Sequence, residues 1–79
     1  MRLDKFLKVS RIVKRRTVAN DACDAEHVTV NGKIARASLE VKVGDIIEIQ
    51  MGSNLSKYEV LNVSEHATKE SAALMFRQL

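Results

Sequence analysis

Apolar positions near the start of the chain recur at helical spacing. Leu3, Phe6, Leu7 and Ser10 fall on one side, which predicts a short helix over residues 3–11. Lys5 and Lys8 then project from the opposite side, and Arg2 and Arg11 flank the seam. A second helix is predicted over about 15–25, with Val18, Ala19, Ala22 and Cys23 sharing a face. Beyond it the period changes to two. Val28 and Val30 alternate with polar neighbours and lead into Asn31-Gly32. Both residues of that pair tolerate positive φ, so they predict a type I′ hairpin turn. A turn at Gly44-Asp45 precedes Ile47, Ile49 and Met51, which share a strand face. Gly52-Ser53-Asn54 is a further turn, and KYEVLNV a further strand. Last, Thr68 can cap a helix on which Ala72, Met75, Phe76 and Leu79 form an apolar stripe. The order α-α-β-β-β-α predicts one α+β domain over 1–79, its two N-terminal helices packed on a small antiparallel sheet, with a C-terminal helix.

Composition narrows what such a domain can do. A chain of 79 residues buries only about 60–65% of its unfolded surface, which leaves little room for a catalytic cleft. Phe6, Tyr58 and Phe76 are the only aromatic residues, so aliphatic side chains must fill the core. The single cysteine, Cys23, has no partner for an internal disulfide and sits on the apolar face of the second helix. It reads as a core residue of a protein from a reducing cytosol. No segment approaches the roughly 20 apolar residues of a membrane span, and the N-terminus lacks a signal-peptide apolar region. The expectation is a soluble, cytoplasmic monomer without a membrane partner. His27 and His66 lie far apart without Cys or acid at ligand spacing, so no metal site or cofactor is expected. Nor is there a nucleophile–base pair or Gly-rich phosphate loop, and the chain is not expected to be an enzyme.

The net charge of +3 conceals a division. Residues 1–16 hold seven basic residues against Asp4 alone: Arg2, Lys5, Lys8, Arg11, Lys14, Arg15 and Arg16. The remaining six basic residues face nine acids in 17–79. Such asymmetry points to one surface that meets a polyanion, and arginine is well suited to bidentate phosphate contact. DNA reading by a helix-turn-helix is disfavoured. The second helix, which would enter the groove, carries Asp21 and Asp24, with Glu26 just beyond, and no basic residue over 17–27. Those acids otherwise form a solvated face or a contact to a basic partner. RNA recognition through phosphates and shape fits best, because exposed aromatics for base stacking are not evident. Lys33 and Arg36 are candidates to extend the basic surface. Asn31 is expected to support the turn.

The blocks RLDKFL, SRIVKRRTVA, VTVNGKIA and VKVGDIIEI, at these intervals, resemble the RNA-binding domain named after small-subunit ribosomal protein S-four. The resemblance covers about residues 1–50, and the strand and helix of 55–79 extend it. Two free-standing groups end in a similar Ala-rich helix, the heat-shock protein fifteen group and the RqcP (YabO) group. The opening MRLDKFLKVSRIVKRRTVA is similar to the RqcP group. That resemblance implies a ribosome quality control factor, which binds large subunits stalled with peptidyl-tRNA. It would contact large-subunit rRNA and the P-site tRNA and work with RqcH in non-templated alanine tailing. The alternative is a heat-shock-fifteen-like factor that moves tRNA, or a generic S-four-domain RNA binder. Arg2 and Arg16 match the family pattern best as RNA contacts. Asp4, in the same block, is expected to orient a neighbouring Arg or to cap the first turn. One departure stands out. The family usually places a glycine, then a basic or polar residue, before the VTVNG strand, where this chain has Glu26-His27. A glutamate in a left-handed helix end costs about 1 kcal/mol.

Overall fold

The computed structural model describes residues 1–79. Two short helices, α1 (Leu3–Val9) and α2 (Arg16–Asp24), precede the strands β1 (Val28–Val30), β2 (Lys33–Ile34), β3 (Ile46–Met51) and β4 (Asn54–Val60). A one-turn helix α3 (Lys69–Ala72) and a final strand β5 (Phe76–Gln78) follow. The strands form one antiparallel sheet in the order β2-β1-β3-β4-β5. This is the α+β arrangement expected, with α1 and α2 on one face of the sheet.

The core lies between the helices and that face. Leu3, Phe6 and Leu7 of α1 and Ala19 and Cys23 of α2 are buried. They pack with Val28, Val30, Ile47, Ile49, Val60 and Met75. Burying a large apolar side chain contributes about 1.5–3 kcal/mol, so three such residues in one seven-residue helix hold α1 firmly. Val18, expected on the inner face of α2, is exposed. Met51, expected beside Ile49, is also exposed, because β3 ends there in the Gly52 turn.

Both helices stop at a non-glycine residue in the left-handed region. Arg11 has φ 65° after α1, and Glu26 has φ 63° after α2. At the second site the Glu26 N–H donates to the Cys23 carbonyl, and the His27 N–H donates to Ala22. These are the two bonds of a Schellman ending, made by a glutamate where glycine fits without strain. The departure seen in the sequence therefore changes the residue and not the turn. Asn31 and Gly32 have φ 54° and 83°, the type I′ hairpin predicted between β1 and β2.

The C-terminal segment differs from the expectation. Thr68 does cap α3, its Oγ accepting from the Ser71 N–H at 3.2 Å while Ser71 Oγ accepts from the Thr68 N–H at 2.8 Å. The helix, however, ends after one turn. Residues 76–78 run as a strand along β4, with Val60 opposite Phe76 and Glu59 opposite Arg77. The backbone of β4 decides the outcome. As an edge strand it would leave N–H and C=O groups unpaired. Instead the Leu61 N–H donates to Met75 O and the Leu79 N–H to Lys57 O. Phe76 also meets Tyr58 edge to face, ring centroids 5.4 Å apart. Ala72 and Met75 of the expected stripe are buried, whereas Leu79 is exposed.

Candidate nucleic-acid interface

The predicted basic residues divide into groups with different surroundings. The first group is built around Asp4. Although charged, its side chain is only 1% exposed. The Leu3 and Asp4 N–H groups donate to the carbonyls of Leu39 and Ala37, at 2.8 and 3.1 Å. The 37–39 segment thereby roofs the first turn, and Asp4 lies beneath it. One carboxylate oxygen accepts from the Lys5 N–H at 2.8 Å, capping that turn.

Three side chains, Arg2 just before α1 and Arg16 and Asn20 of α2, converge on the same carboxylate. Arg2 donates through Nε and Nη2 at 3.2 and 3.3 Å. Arg16, at the start of α2, donates through the same pair of atoms at 3.1 and 3.4 Å. Asn20, one turn further along α2, donates at 3.0 Å. Burial pushes the Asp4 carboxyl up. Hydrogen bonds from Arg16, Asn20 and Lys5, with the Arg16 charge, outweigh that effect and hold it below its ordinary value. The two guanidiniums remain about half exposed, 52% for Arg2 and 47% for Arg16. Each has one edge fixed by Asp4 and presents the remaining donors outward.

Asp4, expected to orient a neighbouring Arg or to cap the first turn, accepts from Arg2 and Arg16 and from the Lys5 N–H of that turn, while the N-cap position itself is Arg2. Asn20 went unnoticed in the sequence. The signal was present, since Arg16 and Asn20 stand at i, i+4 and therefore face the same way.

The second group is Lys8, Arg11 and Lys14, which line an open depression of about 340 Å³ with Val13 at its floor. None of the three is paired with an acid. Arg11 enters the group because its left-handed backbone ends α1 and turns the chain toward Lys14. Arg15 is exposed at the N-cap of α2. Lys5 differs from both groups. Its ammonium lies 3.5 Å from Glu65 of the segment between β4 and α3, so the C-terminal part of the chain partly neutralises it.

Lys33 and Arg36 separate. Arg36 lines one groove with Arg2, between α2 and the chain after β2. Lys33 lines a different depression together with Glu40, Lys42 and Asp45. Asn31 serves the turn. Its side chain donates to Asp45 at 3.1 Å and accepts from the Ile46 N–H at 3.0 Å, locking the hairpin to β3. Cys23 is buried, and desolvation, then the charges of Asp4 and Asp24, push its thiol up to about 11. It remains a neutral core residue at neutral pH. No helix is long and apolar enough to cross a membrane.

Comparison with known proteins agrees with this geometry. The model of the S4 domain matches residues 1–47, the part that contains both basic groups. Proteins named RQC P-site tRNA stabilizing factor are 49% identical in Halalkalibacterium halodurans and 45% in Bacillus subtilis. The aligned region is 96% of this chain and covers 86% and 88% of those proteins. Among solved structures, the trimeric Heat Shock Protein 15 of Vibrio cholerae superimposes with a TM-score of 0.90 at 26% identity. It covers all of this chain and 81% of that one. The solution structure of HP1423 gives 0.85 at 34% identity, covering all of this chain and 96% of that one.

Proposed function

Since the chain belongs to the S4 domain family, within the group of RQC P-site tRNA stabilizing factors, we propose that it steadies P-site tRNA on stalled large ribosomal subunits. It does so as an RNA-binding protein of ribosome quality control and without catalysis. The observation that carries this reading is the Asp4 cluster. One buried carboxylate holds both Arg2, just before α1, and Arg16, the first residue of α2. Guanidiniums fixed in this way lose little further side-chain entropy on meeting a phosphate. The unpaired Lys8, Arg11, Lys14 and Arg15 add attraction to the backbone, which depends on salt through counterion release.

In this reading the RNA partners are large-subunit rRNA and P-site tRNA, and the factor supports RqcH-directed alanine tailing. The test is co-sedimentation with large subunits that carry peptidyl-tRNA. Wild type pellets with them, and Arg16→Ala is lost at moderate salt. Equal recovery of both proteins at every salt concentration contradicts the proposal. A second reading, a tRNA-moving factor of the heat-shock-fifteen type, has the structural likeness at TM-score 0.90 in its favour. Sequence favours the first reading. Identity to the heat shock protein 15 homolog of Aeromonas salmonicida is 34%, and this chain covers 54% of that protein.

A further inference from the structure

The groove shared by Arg2 and Arg36 differs from the rest of the basic surface. Its volume is about 660 Å³, within the range of pockets that take small organic groups. Arginines Arg2 and Arg36 line it together with two acids, Asp24 and Glu26, so its formal charge balances. Cys23, Ala35 and Ala37 form its buried apolar floor. On its wall Ile34 is 60% exposed, an uncovered aliphatic surface. Neither acid is committed elsewhere. No ion pair and no side-chain hydrogen bond within the chain engages Asp24 or Glu26. Asn20 also lines the groove. Its amide NH2 is used by Asp4 and by the Arg16 carbonyl, which leaves its side-chain oxygen as an acceptor.

A phosphate seated in the groove against Asp24 and Glu26 would be repelled, whereas one at its rim can meet Arg2 or Arg36. The apolar floor and wall, with three acceptors around them, suit a flat ring that carries N–H donors. We propose that this groove receives one unstacked nucleobase of the bound RNA. Arg2 and Arg36 contact the flanking phosphates. Asp24, Glu26 and Asn20 accept hydrogen bonds from an exocyclic amino group such as N4 of cytosine. RNA sequence is read in this way, on bases splayed out of the stack, and carboxylates are natural acceptors for the cytosine amine. Uracil places a carbonyl where that amine would be. Its oxygen would face a carboxylate, acceptor against acceptor, so the groove selects against it. Glu26 also gains a purpose that its backbone does not explain. A glycine would end α2 with less strain, but it would leave one acceptor fewer in the groove.

The inference rests on RNA binding as proposed above, and the experiment separates the two. Binding of the full chain to the single-stranded decamers C10 and U10 is measured by fluorescence anisotropy at one salt concentration. The same measurement is made for the double variant Asp24→Asn, Glu26→Gln and for Arg16→Ala. The expected result is that wild type prefers C10 by about ten-fold. The double variant binds both oligomers with a ratio near one, and Arg16→Ala weakens both while keeping the ratio. A second measurement adds cytidine monophosphate, uridine monophosphate or a lysine-rich peptide to isotope-labelled protein. Amide shifts at Asp24, Glu26 and Ala35 are expected with the cytidine nucleotide and not with the uridine one. Equal wild-type affinity for C10 and U10, or a preference that survives in the double variant, overturns the base site and leaves RNA binding standing. Shifts with the peptide alone assign the groove to a protein and overturn it as well. Failure of wild type to bind either oligomer counts against the RNA reading and the base site together.

Discussion

The Asp4 cluster and the Lys8–Arg11–Lys14 depression both lie within residues 2–20 and both carry positive charge, yet they are built in opposite ways. In the first, Arg2 and Arg16 share a carboxylate that is nearly inaccessible to solvent. In the second, three cations stand around Val13 without an acid among them. A guanidinium fixed by a carboxylate has geometry to offer a ligand, whereas the unpaired Lys8, Arg11 and Lys14 side chains offer chiefly charge. The cost differs too. Burying Asp4 is tolerable because four residues donate six hydrogen bonds to it. The free cluster costs little in the folded state and gives correspondingly little specificity. Position and attraction are thus assigned to different residues in one short segment.

The change that breaks this contrast most strongly is Asp4→Ala. It leaves two guanidiniums and the Asn20 amide without their shared acceptor. We expect a loss of about 2–3 kcal/mol of stability, seen in thermal unfolding as a fall in Tm of about 10 °C or more. RNA affinity falls with it, since both arginines lose their orientation. The pH dependence sharpens the point. The folded-state value of Asp4 is lowered, so its contribution is complete above the unfolded carboxylate value of about 4 and disappears as pH falls through the folded value beneath it. The stability difference between wild type and Asp4→Asn should therefore be constant from pH 7 to about 5 and shrink below about 4. Urea titrations across that range check it.

Next in size are the two left-handed helix ends, Arg11 in the free basic depression and Glu26 at the end of α2. Replacing Arg11 or Glu26 with glycine relieves strain at φ 65° or 63° and should stabilise the fold by about 0.5–1 kcal/mol. The functional outcomes should differ. Arg11→Gly removes a cation and weakens RNA binding about two- to four-fold with a shallower salt slope. Glu26→Gly removes an acid, so attraction to phosphate does not fall. The smallest expected effect is on Cys23. Its thiol, raised to about 11, should react with a thiol reagent at pH 8 far more slowly in the native protein than in urea.

Much of this was readable in the sequence because local rules and the tertiary fold agree there. Leu3, Phe6 and Leu7 have helical spacing and a core to face. Asn31-Gly32 has one favoured turn. The segregated charge marked the basic surface, and the RLD block placed Asp4 beside Arg2. The C-terminal stripe was legible only in part. Ala72, Met75, Phe76 and Leu79 suit a helix locally, and the pairing needs of β4, a non-local fact, turned residues 76–78 into a strand. The i, i+4 spacing shows that Arg16 and Asn20 share a face, but their grip on Asp4 spans 12 and 16 residues and no local pattern shows that target. Nor could spacing show that Arg36 joins Arg2 while Lys33 faces Glu40 and Asp45.

The most direct test of the division between position and attraction compares two variants that each remove one positive charge, Arg16→Ala and Lys14→Ala. Affinity for tRNA is measured for both as a function of salt concentration. Each change should reduce the slope of log K against log salt by about 0.9. If the account is right, Arg16→Ala lowers affinity about ten-fold or more even when extrapolated to high salt, where only non-ionic contacts persist, and Lys14→Ala does not. Two superimposable salt lines would show that only charge matters, and would contradict it.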